Sequence, residues 1–161
     1  MNLSVRRPAV KKIAFRIVIA STLLSFGAIA ATPEITDAIK SRRANYKEIG
    51  GAFKSINDEV KTGSPLIDTI QPLAQEILKR GSMQMNFFPA GSGPESGEKT
   101  HAKAQIWAEQ DNFRKLHQDF IHAAEQLNSA IDSGDKSAIA SAQKSLGMAC
   151  KSCHDRYREA D

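Results

Sequence analysis

Cysteine is nearly absent from this chain: Cys150 and Cys153 are the only two in 161 residues, so nothing else competes for what they bind. Long apolar runs are missing too. Ile17 to Ile29 spans about 13 residues, below the roughly 17–25 that cross a bilayer as a stable anchor. No βαβ pattern surrounds the cysteine pair, which removes the context of a dithiol redox site. Paired carboxylates, a nucleophile beside a base and a second metal cluster at helical spacing are all lacking. A catalytic apparatus of side chains is therefore not expected, and the chain does not read as an enzyme. Repeats at a 20–50 residue period are absent as well.

What is present begins with an export signal over residues 1–30. Arg6, Arg7, Lys11 and Lys12 form a basic start, Ile17 to Ile29 an apolar middle, and Ala28-Ile29-Ala30 a small-x-small cleavage site. The mature chain is expected to begin at Ala31 and to lie in the periplasm. Removing the leader changes the electrostatics. Five of the 22 basic residues lie in it with no acid, which leaves 17 against 18 Asp plus Glu, a net charge of −1. The basic balance belongs to the precursor, and neither nucleic acid nor a membrane surface is expected as a partner.

Near the other end stands Cys150-Lys151-Ser152-Cys153-His154, a C-x-x-C-H site for covalent haem attachment. Two thiols three residues apart can add across the two vinyl groups of one porphyrin, which places the next residue under the iron. His154 then supplies a neutral imidazole nitrogen as axial ligand. Zinc would need a fourth ligand from His101, His117 or His122, and structural zinc ligands rarely crowd in this way.

The remaining 131 residues, 31–161, read as one helical domain. Thr32-Pro33 is an N-cap followed by proline at the first helical position. Ile35, Ile39, Arg42, Tyr46, Ile49, Phe53, Ile56 and Val60 then recur at alternating steps of four and three, a seam for packing along another helix. Gly63-Ser64-Pro65 leads to a second helix with Leu66, Ile70, Leu73 and Ile77 on its face, and Pro72 is expected to kink it. Gly81 to Lys99 holds four of the ten glycines and two of the six prolines, without periodicity. Because it also contains Phe87-Phe88, it reads as a crossover strapped onto the core. A third helix is expected from about His101 to Ile131. After a turn at Ser133-Gly134-Asp135, a fourth presents Ile139, Ala142, Leu146, Cys150, Cys153 and Tyr157. Four such helices predict an all-α, antiparallel four-helix bundle, with Cys150, Cys153 and His154 facing its interior from the C-terminal helix.

Two residues of the first seam are unusual. Arg42 would be a buried guanidinium, costly unless paired, and no acid stands one turn away on its face. A haem propionate would satisfy it in bidentate geometry, so that Arg42→Leu would be nearly neutral in stability. Tyr46, one turn on, would either cover the pocket or pack as an ordinary core aromatic.

These features make the chain resemble the cytochrome c′ family over the whole mature region. Cys150-Lys151-Ser152-Cys153-His154-Asp155-Arg156-Tyr157-Arg158 resembles that family's closing segment. Thr100-His101-Ala102-Lys103-Ala104-Gln105-Ile106-Trp107 is similar to its entry into the third helix, and Arg42-Arg43-Ala44-Asn45-Tyr46 to its first-helix stretch. The resemblance implies one haem c in a four-helix bundle, often a homodimer packed through the first helices, with His154 the sole protein ligand of a five-coordinate, high-spin iron. It also implies that Tyr46 shields the distal face, that Arg42 reaches a propionate with help from Thr100, that Arg158 lies beside the proximal face and that Phe88 walls the pocket. Low-spin relatives carry a first-helix methionine; Ile49 stands there instead, and the mature methionines are Met83, Met85 and Met148. Diatomic gas binding (nitric oxide, carbon monoxide) and single-electron transfer follow as expected functions, with no redox partner legible. The alternative is a low-spin, six-coordinate electron carrier whose sixth ligand lies off the first helix.

Overall fold

The computed structural model describes Met1 and residues 31–160, so the expected leader lies outside the described residues. Helix α1 (Pro33–Lys61) starts where Thr32 Oγ1 accepts from the Ile35 amide at 3.4 Å and Pro33 occupies the first turn. Gly63, at φ +76°, turns the chain in a conformation that side chains with a Cβ resist. Helix α2 (Ile67–Met83) contains Pro72 and runs on past it. Helix α3 (Gln110–Ser133) stops at Gly134, again at positive φ. Asp135 then caps α4 (Lys136–Tyr157), accepting from the amides of Ser137 at 2.8 Å and Ala138 at 3.1 Å.

The helices form an antiparallel four-helix bundle, with α1 on α2, α2 on α3, α3 on α4 and α4 closing against α1. The described residues contain no strand, only a single bridge between Ala102 and Arg158. No helix among them is long and apolar enough to cross a membrane.

The inward faces build two cores. The larger is aliphatic and joins all four helices through residues such as Ile56, Ile70, Ile77, Leu127, Ile131, Ile139 and Leu146. Each is fully buried and contributes about 1.5–3 kcal/mol by leaving water. The smaller is aromatic and lies under the crossover: Ile106, Phe113 and Tyr157 with Phe88 and Trp107 packed against them.

Three sequence expectations need correction. The third helix does not run unbroken from His101. A single turn, Gln105–Ala108, is separated from α3 by Glu109 at φ −123°, ψ 43°. The break lets Ile106 join the aromatic core and lets Trp107 Nε1 donate to the Pro89 carbonyl at 3.0 Å. Leu66 is exposed rather than on the buried face of α2, because it is the N-cap; Ala74 and Gly81 face inward with Ile70 and Ile77. On α1 the buried set includes Asn45 and Ala52, which the expected seam omitted.

Candidate haem site

Between the two cores lies an apolar cavity of about 750 Å³, within the roughly 300–1,000 Å³ of cofactor-sized sites. Helix α4 contributes Cys150, Cys153 and His154 to its wall, all on one face because their spacings are three and four. Helix α1 contributes Tyr46 and Ile49 to the same cavity. The rings of Tyr46 and His154 meet edge to face, 6.2 Å between centroids.

Electrostatics suit this wall. Burial pushes the Cys150 thiol up to about 11, and the Cys153 thiol likewise with Cys150 adding to the effect. His154 opens onto the cavity, yet surrounding protein lowers its pKa, with Arg158 acting in the same direction and Asp155 against it. This favours the neutral imidazole, the form that ligates. Burial, then the neighbouring Cys153, raises the Tyr46 phenol well above its ordinary value, so it stays protonated.

The end of α4 is fixed from outside. Lys103 N donates to the Tyr157 carbonyl at 3.0 Å and Glu159 N to the His101 carbonyl at 2.8 Å. Glu109 accepts from Arg156 Nε at 2.7 Å and from the Tyr157 hydroxyl at 3.0 Å. This strap holds the end of α4 at residues 157–159 against residues 101–103, and Arg158 lines the cavity.

Arg42 is 3 % exposed, as a seam position requires, and the crossover supplies its protein acceptors. Nη1 donates to the Phe87 carbonyl at 3.2 Å and to Ser92 Oγ at 3.1 Å. Nη2 donates to the Ser92 carbonyl at 2.9 Å and to Thr100 Oγ1 at 2.8 Å. The guanidinium also stacks on Phe88, 4.7 Å from its centroid. Burial lowers its pKa, with Tyr46 and Glu95 opposing. The crossover thus satisfies the buried charge with neutral oxygens, so burial of Arg42 does not by itself require a propionate. Thr100 and Phe88 do join it at the cavity.

Asn45, Gln84 and Ser92 were not anticipated. Ser92 is fully buried inside a loop without periodicity, and no local pattern marks it. Asn45 Nδ2 donates to the Arg80 carbonyl at 3.0 Å and to Gln84 Oε1, and Arg80 Nη1 donates to Asn45 Oδ1 at 3.2 Å. Gln84 is 1 % exposed and lines the cavity, and its Nε2 has no hydrogen-bond partner.

A helical bundle with paired thiols and an imidazole on one wall of an apolar cavity defines a cofactor-holding bundle, and its volume and donor set fit haem. A sequence model of the family described as Cytochrome C′ matches residues 37–158. The chain is 32% identical over 130 residues to the cytochrome c′ of Alcaligenes xylosoxydans xylosoxydans, covering 80% of this chain and 97% of that one. With the Rubrivivax gelatinosus cytochrome c′ it is 35% identical over 124 residues, covering 76% and 95%. Among solved structures, the nitric oxide complex of a leucine-to-isoleucine variant of Alcaligenes xylosoxidans cytochrome c prime matches with a TM-score of 0.71 at 25% identity, covering 78% of this chain and 97% of that one. The chain belongs to the cytochrome c′ family. Its cofactor is covalently attached haem c.

Proposed function

We propose that this chain is a periplasmic cytochrome whose single haem is five-coordinate and high-spin, and that it binds diatomic gas and exchanges single electrons. One observation carries the reading: Cys150, Cys153 and His154 share a wall of the apolar cavity, and the Tyr46 ring faces His154 at 6.2 Å. In this reading Cys150 and Cys153 form the two thioethers and His154 is the only protein ligand to iron. When bound, haem would supply one-electron redox chemistry and an iron able to take a small ligand.

The chain's own part is to position and to exclude. The lowered pKa of His154 keeps a ring nitrogen available as a donor. Ile49 lines the cavity on α1 where a methionine would be needed for low-spin ligation, and Met83, Met85 and Met148 are not on the cavity wall. His117 does line it, but its Nε2 is paired with the Gly81 carbonyl at 3.0 Å. These facts favour five-coordination over the six-coordinate alternative. Gas binding draws support from the nitric oxide complex solved for the Alcaligenes xylosoxidans relative. Cleavage of residues 1–30 and a homodimer through α1 belong to the same reading.

Mass spectrometry of the purified mature protein, followed by nitric oxide titration of its ferrous form, tests the proposal. The expected mass is that of residues 31–161 plus one haem, and the expected titration gives a nitrosyl spectrum. Haem that leaves on acid–acetone extraction would overturn covalent attachment. An unchanged spectrum under nitric oxide would overturn gas binding.

A further inference from the structure

An orphaned donor stands on the cavity wall. Gln84 follows α2 in a short 3₁₀ turn, Gln84–Phe87, and is almost completely buried. The orientation of its amide is set by a polar chain that starts at Glu76, whose carboxylate lies 2.6 Å from Arg80 Nε. Arg80 donates to Asn45, and Asn45 donates to Gln84 Oε1. With its oxygen taken, Gln84 has only Nε2 left to offer, and that nitrogen has no partner. The Gln84 side chain also acts on the Tyr46 phenol, favouring its ionisation. Both residues line the cavity, and Tyr46 is the ring that faces His154. A buried N–H without an acceptor is destabilising, and such groups in folded proteins ordinarily mark a ligand, a water or a functional demand. The rest of the wall nearby is apolar, with Ile49, Phe53 and Phe120.

We propose that Gln84 and Tyr46 form a hydrogen-bonding corner over the ligand side of the haem, so that the site discriminates in favour of small ligands whose outer atom accepts a hydrogen bond. Halide and hydroxide fall in that class; carbon monoxide is a poor acceptor and gains little. Gln84 offers its unpartnered N–H to the cavity beside the phenol, so it is a specificity-determining residue. The inference rests on the five-coordinate reading above.

The test uses the covalent holoprotein and two probes, fluoride with the ferric form and carbon monoxide with the ferrous form. Gln84→Met keeps the length of the side chain and removes the donors. Its fluoride affinity is expected to fall roughly tenfold, the worth of one hydrogen bond to a charged acceptor, while carbon monoxide affinity stays within about twofold. The C–O stretch of the carbonyl complex is expected to rise in the variant, which a purely structural role would not produce. Tyr46→Phe, which keeps the ring and removes the hydroxyl, provides the second variant should Gln84→Met not fold, with the same selective loss of fluoride. Equal change with both probes, or no change with either, would overturn the proposal. A low-spin spectrum of the ligand-free parent would instead overturn the coordination reading beneath it, and the two failures are told apart by recording that spectrum first.

Discussion

Arg42 and Tyr46 show how one residue can carry a structural and a functional demand. Four hydrogen bonds tie the Arg42 guanidinium to Phe87, Ser92 and Thr100. Arg42→Leu strands these oxygens beneath the crossover, so a loss of about 2–4 kcal/mol in unfolding free energy is expected from urea denaturation of the holoprotein. An unchanged midpoint would mean that the bonds to the crossover add nothing. The sequence marked Arg42 as a buried charge in need of partners, but Ser92 is 50 residues away in a segment without pattern, so its partners were not legible. Tyr46, by contrast, was legible in its position and predicts a gate. Moving a ring of roughly 150–250 Å² aside at about 25 cal/mol per Å² costs on the order of 1–2 kcal/mol when part of it is re-exposed. Tyr46→Ala is therefore expected to bind carbon monoxide about tenfold more tightly and faster, checked by flash photolysis. An unchanged association rate would mean that Tyr46 lies away from the ligand's path.

At the scale of elements, α2 and α3 meet closely at Gly81. A Cβ built on Gly81 would lie 2.5 Å from Phe120 Cε1 and 3.1 Å from Ile121 Cδ1. Helix propensity alone would make Gly81→Ala more stable by about 1 kcal/mol. Overpacking is expected to reverse that sign and cost about 1–3 kcal/mol, read from thermal denaturation. A gain in stability would show that Phe120 swings away freely. The hydrophobic spacing was sufficient to locate α1, α2 and α4, since each keeps a single inward stripe. It failed at Glu109, where Trp107-Ala108-Glu109-Gln110 contains neither glycine nor proline to announce a break. That break is imposed by distant partners: Pro89 for Trp107, and Arg156 with Tyr157 for Glu109.

Across the whole molecule, the division of the core explains the site. Four helices pack fully on their aliphatic side, while the crossover, the start of α3 and the end of α4 form the aromatic core, and the cavity lies between them. The fold and the thiol–imidazole wall followed from motif and periodicity, because both are local in sequence. The Arg80–Asn45–Gln84 chain did not, because it joins α1 to the end of α2 through side chains with no shared spacing. The proposed function depends on His154 being the single protein ligand and on the side facing Tyr46 staying open to small molecules. Electron paramagnetic resonance of the ferric holoprotein at neutral pH tests it most directly. A high-spin signal that converts to another species on adding cyanide is expected. A low-spin signal from the ligand-free protein would contradict it.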